Sequence, residues 1–214
     1  MSSIHTSERP PEASTHDKIL DAAELLFITH GFAATSLRAV AMNAGVNLAA
    51  TNYHFGSKMG LFSAVFHRRV QPINELRLLN LKCLNDSDHL LTPKLVLQAF
   101  FSPICSLAVD DAVPSLIGRV YSEPESLTKP ILEQEFGEVA KRFQQALANV
   151  LPNIESEDLR WCFHFMIGSM IQLLRFRTPI GSEYEQRKFT EVIEELIDYS
   201  VAGFEQANNR NTHD

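Results

Sequence analysis

Residues 36–58, SLRAVAMNAGVNLAATNYHFGSK, predict two short helices joined by a tight turn. An apolar stripe with the i, i+3, i+4, i+7 spacing of a helix face begins at Leu37 and ends at Ala44. Gly45 follows this stripe directly, at a position where the end of a helix often needs a left-handed backbone that glycine adopts without strain. The stretch therefore predicts a helical hairpin with a glycine turn.

The residues around the turn favour a helix-turn-helix over an ordinary hairpin in a protein core. Thr35 or Ser36 can cap the first helix, and Asn47 can cap a second helix over 48–54. The second helix of such a motif enters the DNA major groove. A polar cluster follows it, and a further helix then opens with Ser57 as its cap and Lys58 in its first turn. A helix N-terminus that carries a lysine suits a DNA phosphate, and a core hairpin has no need for one.

This segment resembles the DNA-binding domain of the TetR family of bacterial transcriptional regulators. The resemblance runs from Ile19 to Phe62 and has ordered motifs, which are His30-Gly31-Phe32, Thr35, Ala44-Gly45-Val46, Tyr53-His54-Phe55 and Lys58. The segment departs from the family at Asn52, where many members carry tyrosine, so the sequence of the DNA operator cannot be read from it.

The resemblance and the geometry together imply roles for individual side chains on DNA. Thr35, Tyr53, His54 and Lys58 are expected to contact phosphates, and Arg38 is expected to reach a guanine edge. The candidate base contacts are Asn47, Leu48, Ala49, Ala50 and Asn52, because Asn pairs with adenine and small apolar side chains meet a thymine methyl. The alternatives are that Asn47 only caps its helix, that Leu48 and Thr51 point into the core, and that His54 is structural.

The composition limits the class of protein. The longest apolar stretch, 161–174, has 14 residues, whereas a membrane span needs about 20. No secretory signal is evident, and the three cysteines form no CxxC, so we expect a cytoplasmic protein without disulfides, metal or cofactor. There is no HExxH, phosphate loop or serine elbow. A small helical enzyme is therefore the remote alternative.

The periodicity predicts an all-α protein of about nine helices. We expect a disordered arm over 1–14, a three-helix DNA-binding domain over 15–62, a ligand-binding and dimerisation domain over 63–207, and a flexible tail over 208–214. Pro72 should kink a long helix over 58–84, which would connect the two domains. Further helices are expected over 93–109, 114–122, 126–150, 157–178 and 185–207.

The last two helices are expected to form a homodimer. The helix over 157–178 is apolar on nearly every side, so it needs a partner beyond its own domain. Paired with their copies from a second chain, the helices over 157–178 and 185–207 would form a four-helix interface. Such a dimer would read a palindromic double-stranded DNA operator. The alternative is that both helices fill the core of a monomer.

The effector is expected to be a small apolar or amphipathic molecule that releases a repressor from DNA. The motif Trp161-x-x-His164-Phe165-Met166-x-Gly168 resembles the branch of the family that responds to fatty acids or their CoA thioesters. The expected ligand contacts are Arg119, Tyr121, Trp161, His164, Phe165 and Gly168, with Arg175 and Arg177 as further candidates for an anion. A structural role for His164 and the arginines stays open, as does a transcriptional activator or a ligand-independent DNA-binding protein.

The charge distribution predicts a shallow dependence of DNA affinity on salt. Residues 1–70 carry six basic and five acidic side chains, a balance of +1, and the remaining residues carry 13 basic and 21 acidic, a balance of −8. Each phosphate neutralised lowers log K by about 0.9 per unit of log salt concentration. Titration of DNA affinity against salt should therefore give a modest slope, and a slope equal to about ten phosphate contacts would contradict this.

Overall fold

The computed structural model describes residues 14–87, 90–107, 112–176 and 187–210, and within these ranges the chain forms nine α-helices and no strand. The predicted all-α class is confirmed. The helices are α1 (Thr15–Ala34), α2 (Leu37–Asn43), α3 (Leu48–Phe55), α4 (Lys58–Asn85), α5 (Pro93–Leu107), α6 (Ala112–Val120), α7 (Glu125–Val150), α8 (Ser156–Arg175) and α9 (Phe189–Arg210). The chain divides into two compact units, Met1–Val65 and Phe66–Asp214.

The amino-terminal unit packs α1, α2 and α3 against one another around three phenylalanines. The ring of Phe62 lies 5.0 Å from that of Phe27 and 5.1 Å from that of Phe32, in edge-on contacts. Phe27 and Phe62 are fully buried. Edge-to-face pairs at this distance stabilise a core beyond their area of burial. This cluster fixes the end of α1 beside the start of α4.

Short polar side chains begin the helices of this unit, as the sequence predicts. Ser36 Oγ accepts a hydrogen bond from the backbone N–H of Ala39 at 3.1 Å, and Ser57 Oγ accepts one from Gly60 at 3.0 Å. Gly45 has a φ of +66° between α2 and α3, so the expected left-handed turn is present. These local features set the angle at which α3 leaves α2.

The carboxy-terminal unit is built from α5 to α9 and the later part of α4. Helix α9 packs on α5 and α8, α7 packs on α5 and α8, and α6 packs on α8. The ring of Phe100 on α5 lies at the centre of this unit, 5.1 Å from that of Phe143 on α7 and 5.6 Å from that of Phe163 on α8. The core therefore joins three helices through one aromatic side chain.

Several helix ends differ from the sequence-based boundaries. Helix α9 continues to Arg210, so the first three residues of the predicted tail, 208–210, are helical. Helix α8 ends at Arg175, where the N–H of Phe176 closes the last turn on the carbonyl of Gln172. Helix α6 ends at Val120 instead of the predicted 122, and α9 begins at Phe189 instead of the predicted 185. The other predicted parts of the arm, tail and helix ends, which are residues 1–13, 108–109, 177–178, 185–186 and 211–214, lie outside the described residues, and these include Arg177.

The described residues contain no helix long and apolar enough to cross a membrane. The same residues bring together no group of three or more His, Cys, Asp or Glu side chains that could hold a metal ion.

The turn at Gly45 makes a prediction for stability. An alanine Cβ there would meet no atom within 4 Å, so the cost of Gly45→Ala comes from the left-handed backbone alone. We expect it to lower the free energy of unfolding by about 1–2 kcal/mol. Gly45→Asn should cost less, because asparagine tolerates this conformation. Urea denaturation followed by circular dichroism measures both, and equal stability of Gly45→Ala and the wild type would contradict the strain argument.

Candidate nucleic-acid interface and an apolar cavity

Helix α3 presents one exposed face that contains most of the predicted base contacts. Ala49, Asn52 and Tyr53 are exposed, and Leu48 is 39% exposed, whereas Ala50 is half-buried. Thr51 is fully buried, as one alternative from the sequence proposed, and it anchors the opposite face of α3. The reading face, defined here as Leu48, Ala49, Asn52 and Tyr53, carries no charged side chain.

Asn47 acts as the cap of α3. Its side-chain Oδ1 accepts a hydrogen bond from the backbone N–H of Ala50 at 2.7 Å, which satisfies a donor that the helix leaves unpaired. A bidentate contact with adenine needs both the oxygen and the nitrogen of the amide. Since the oxygen is already engaged, the geometry favours the capping alternative for Asn47 over a base contact.

Thr35 does not present its hydroxyl to solvent, which corrects the expected phosphate contact of this side chain. The residue is 3% exposed, and its single O–H donates to the backbone carbonyl of Gly31, 2.8 Å from Oγ1, while the carbonyl of Leu26 lies 3.2 Å away. Gly31 interrupts the helical backbone of α1 with a φ of 80°. Thr35 therefore closes the end of α1, and the exposed Ser36 is the side chain that begins α2.

Two cations flank the reading face and differ in how they are held. Arg38 is exposed on α2, and it makes no hydrogen bond or ion pair with any residue that the structure describes. Lys58 donates from Nζ to the carbonyl of Ala33 at 3.2 Å and lies over the ring of Phe32, 4.3 Å from its centroid. An ammonium has three donors, so Lys58 retains donors for a phosphate while it is held in place.

Tyr53 and His54 lie at the C-terminal end of α3 with their side chains in solvent. Tyr53 is 86% exposed, and its ring meets that of His54 edge-on at 5.4 Å. His16 on α1 stacks on Phe55 at 4.9 Å and lies 5.7 Å from His54. No pattern in the sequence points to His16, because it precedes Ser36 by 20 residues and is brought to α3 only by packing.

A cavity of about 140 Å³ lies in the carboxy-terminal unit between α4, α5, α6, α7 and α8. Apart from one guanidinium and one phenol, its walls are apolar. The lining residues are Arg77, Phe100, Ile117, Tyr121, Leu132, Phe136, Val139, Ala140, Phe163, Ile167, Met170 and Ile171. Burial raises the pKa of Tyr121 above its ordinary value. The cavity can enclose a small apolar group.

Arg77 on α4 places a positive charge in this apolar wall. The residue is 2% exposed. Its Nε donates to the carbonyl of Phe100 at 2.9 Å, Nη1 donates to Oδ1 of Asn74 at 3.2 Å, and Nη2 lies 3.9 Å from the sulfur of Met170. The guanidinium lies over the Phe100 ring at 3.9 Å. Burial lowers the pKa of Arg77 to about 9, which still leaves it charged at pH 7.

Most of the predicted ligand contacts lie elsewhere. Tyr121 lines the cavity, but Arg119 is exposed on α6 and is absent from the lining. The residues predicted on α8 are exposed on its outer face, because α8 turns Phe163, Ile167 and Met170 inward instead. These outward residues are Trp161, His164, Phe165 and Gly168. Arg175 is also exposed and is not part of the lining.

The outward side chains of α8 form an aromatic patch. Trp161 is 52% exposed and Phe165 is 62% exposed, and their rings stack at 5.8 Å. His164 meets Trp161 edge-on at 5.7 Å. Exposed aromatic side chains in contact with one another are typical of an interaction surface. On α9, Tyr199 is a further large apolar side chain in solvent, 73% exposed.

Two family models match the chain. Residues 19–65 match bacterial regulatory proteins of the tetR family, and residues 98–203 match the tetracyclin repressor-like C-terminal domain. A curated relative, named "Probable HTH-type transcriptional regulator YttP", of Bacillus subtilis (strain 168), is 46% identical over 50 residues. That match covers 23% of this chain and 24% of the relative, so the similarity spans about a quarter of either protein.

Solved structures share the fold at low identity. The fatty acid degradation regulator FadR from Bacillus halodurans has a TM-score of 0.66 at 14% identity, over 90% of this chain and 97% of that one. A tetR-family regulatory protein from Rhodococcus RHA1 has a TM-score of 0.65 at 13% identity, over 90% and 98%. AmtR from Mycobacterium smegmatis has a TM-score of 0.57 at 21% identity, over 96% and 97%.

The two possible roles of Asn47, as the cap of α3 or as a contact with a DNA base, predict different effects of substitution. Asn47→Ala should lower the free energy of unfolding by about 1 kcal/mol, whereas Asn47→Ser should leave it nearly unchanged, because serine caps a helix equally well. Since Oδ1 is engaged in the cap, Asn47→Ser should also keep DNA affinity within about twofold. Urea denaturation and fluorescence anisotropy measure the two quantities. A stable Asn47→Ser protein with about tenfold weaker DNA binding would instead assign a base contact to Asn47.

Proposed function

This chain belongs to the TetR family of DNA-binding transcriptional regulators, since the two matched family models together span more than half of it, and we propose that it is a homodimeric repressor that a small amphipathic effector releases from a palindromic operator. Two features of the chain together support this proposal: the reading face on α3 is uncharged, and α8 has an exposed aromatic patch. The first requires a second copy for tight binding, and the second offers a surface to hold it.

The DNA contact is proposed to use α3 in the major groove and cations on either side. Asn52 and Leu48 on the reading face suit adenine and a thymine methyl respectively. Arg38 on α2 suits a guanine edge, and Lys58, Tyr53 and His54 suit phosphates. Few contacts of this kind from a single copy give weak binding, so two copies about one turn of DNA apart are needed.

The dimer is proposed to form through the outer faces of α8 and α9. Trp161 and Phe165 would be buried by the partner's equivalent helices, and Tyr199 on α9 would add a further exposed aromatic ring to the interface. Gly168 lies on the same exposed face of α8 and adds no side chain that would hold a facing helix away. A two-fold axis through this face makes the interface self-complementary, as a closed dimer requires.

Release is proposed to follow from linkage between the cavity and the spacing of the two α3 helices. A ligand shifts an equilibrium only by its difference in affinity for the two states, and a hundredfold loss of DNA affinity needs about 2.7 kcal/mol. Helix α4 contains Arg77 in the cavity wall and begins at Lys58, so we expect it to transmit the conformational change from the cavity to the DNA-binding unit. Effector-dependent amide exchange along α4 would support this role, and unchanged exchange would contradict it. Fatty acids and acyl-CoA thioesters remain the effector candidates that the sequence motif suggests.

The dimer is tested by a charge placed in the aromatic patch. Phe165→Glu should convert the dimer to a monomer, because a carboxylate buried against its symmetry copy has no partner. Leu79→Glu is the matched control, since Leu79 is a similarly exposed apolar residue on α4, 54% exposed. Light scattering at micromolar concentration should give a dimer for the wild type and control and a monomer for Phe165→Glu. A wild-type monomer would contradict the proposal.

The DNA contact is tested by comparing two cations. Arg38→Ala should lower affinity and also relax sequence preference, because a bidentate base contact is worth about 1–3 kcal/mol. Lys58→Ala should weaken binding to all duplexes alike and reduce the salt slope by about one contact. Lys82→Ala, on the last turn of α4, serves as the control. Fluorescence anisotropy with specific and scrambled duplexes measures these effects, and an unchanged preference in Arg38→Ala would remove it from base recognition.

A further inference from the structure

The guanidinium of Arg77 is a buried cation that no carboxylate in the described part of the chain neutralises. Among the residues that the structure describes, none of the acidic side chains pairs with it, and its partners are a backbone carbonyl, an amide oxygen and a sulfur. An uncompensated charge in an apolar interior is costly, and buried charges are ordinarily paired. A buried cation in the wall of a cavity therefore suggests that the ligand in the cavity carries a negative charge.

The hydrogen-bonding capacity of Arg77 is only partly used. A guanidinium has five N–H donors, and the described contacts engage one donor on each of its three nitrogens. One N–H on Nη1 and one on Nη2 are left, and two donors of a guanidinium can form a fork that matches the two oxygens of a carboxylate. Arg77 also lines the cavity, so a ligand inside it can meet this fork.

The side chain of Arg77 is held in one place before any ligand arrives. Phe100 contributes both its carbonyl and its ring face. Asn74 is itself fixed, because its Nδ2 donates to the carbonyl of Glu135 on α7 at 2.8 Å. A cation that packing has already oriented loses little entropy when it binds an anion. The contacts with Phe100 and Asn74 therefore orient the guanidinium of Arg77 in advance, as a binding site for an anion requires.

The rest of the cavity defines the body of the ligand. Its walls opposite Arg77 are aliphatic and aromatic, and a cavity of about 140 Å³ is close to the volume of about 150 Å³ that encloses a benzene-sized molecule. The enclosed space would hold only part of a long acyl chain or of a CoA thioester, the candidates that the sequence motif suggests. The chemistry that fits both the fork and the walls is one carboxylate on a compact apolar body.

We infer that Arg77 is the anion receptor of the effector site and that the effector is a small monocarboxylate with an aromatic or short aliphatic body. This inference rests on the proposed function, since it names the chemistry of the molecule that would release the protein from DNA. Binding neutralises the buried charge on α4, so the acid is preferred over any neutral molecule of the same shape.

The test compares acids with their amides on the full-length protein. Benzoate and hexanoate represent the aromatic and aliphatic bodies, and benzamide and hexanamide keep each shape without the charge. Isothermal titration calorimetry should show at least about tenfold tighter binding of one acid than of its amide. Arg77→Met should remove that preference, and Arg142→Met, an exposed arginine paired with Glu138 on α7, should keep it. If Arg77→Met does not fold, Arg77→Gln retains a hydrogen-bonding side chain without the charge.

Three results would overturn the inference: equal affinity for acid and amide, a preference that survives in Arg77→Met or Arg77→Gln, or no binding of either acid. Release of a bound duplex, followed by anisotropy in the same samples, separates this from the proposed function. If an acid binds through Arg77 but does not release DNA, the assignment of Arg77 as the anion receptor is supported and ligand-released repression is contradicted. If a longer fatty acid or an acyl-CoA releases DNA independently of Arg77, ligand-released repression is supported and the assignment of Arg77 is contradicted.

Discussion

Helix α3 has eight residues and contains neither lysine nor arginine, so in the proposed interface it would approach a polyanion without a lysine or arginine of its own. Most of the affinity of a protein for DNA comes from cations on phosphates, and the cations proposed for this role are Arg38 and Lys58. One such helix binds weakly. Joining two copies makes the second contact intramolecular and raises the overall affinity without new contacts. The proposed roles of the carboxy-terminal helices follow from this need, because they must hold the two copies at a spacing that DNA accepts.

The interior of the carboxy-terminal unit combines two features that a purely structural domain would avoid. It leaves a cavity beside Phe100, and it places the charged end of Arg77 in the wall of that cavity. Both features weaken a folded core, the first through lost packing and the second through lost hydration. A ligand that fills the space and pairs with the charge relieves both at once. Arg77 lies on α4, and α4 begins at Lys58, three residues after the end of α3. The same helix therefore contributes to the proposed effector site and to the DNA-binding unit.

Sequence reasoning succeeded where structure is local. The turn glycine at Gly45 and the caps at Ser36, Asn47 and Ser57 depend on neighbours within three or four residues, and all four are present. It failed on α8, because a helix that is apolar on every side gives no periodic signal for which face points inward. The site of Arg77 could not be found from its surroundings in the chain, NELRLLN, which resemble an exposed helix. Its burial is set by α5 and α8, which are distant in sequence.

The most direct test of the account is selection of bound duplexes from a random pool, followed by sequencing. If two copies of α3 read DNA at a fixed spacing, the enriched sequences should form an inverted repeat, with half-sites centred about one helical turn, 34–36 Å, or a multiple of it apart. Enrichment should weaken when half a turn is inserted between the half-sites. A single undivided site, or half-sites that tolerate any spacing, would contradict the claim that the carboxy-terminal unit sets how this protein reads DNA.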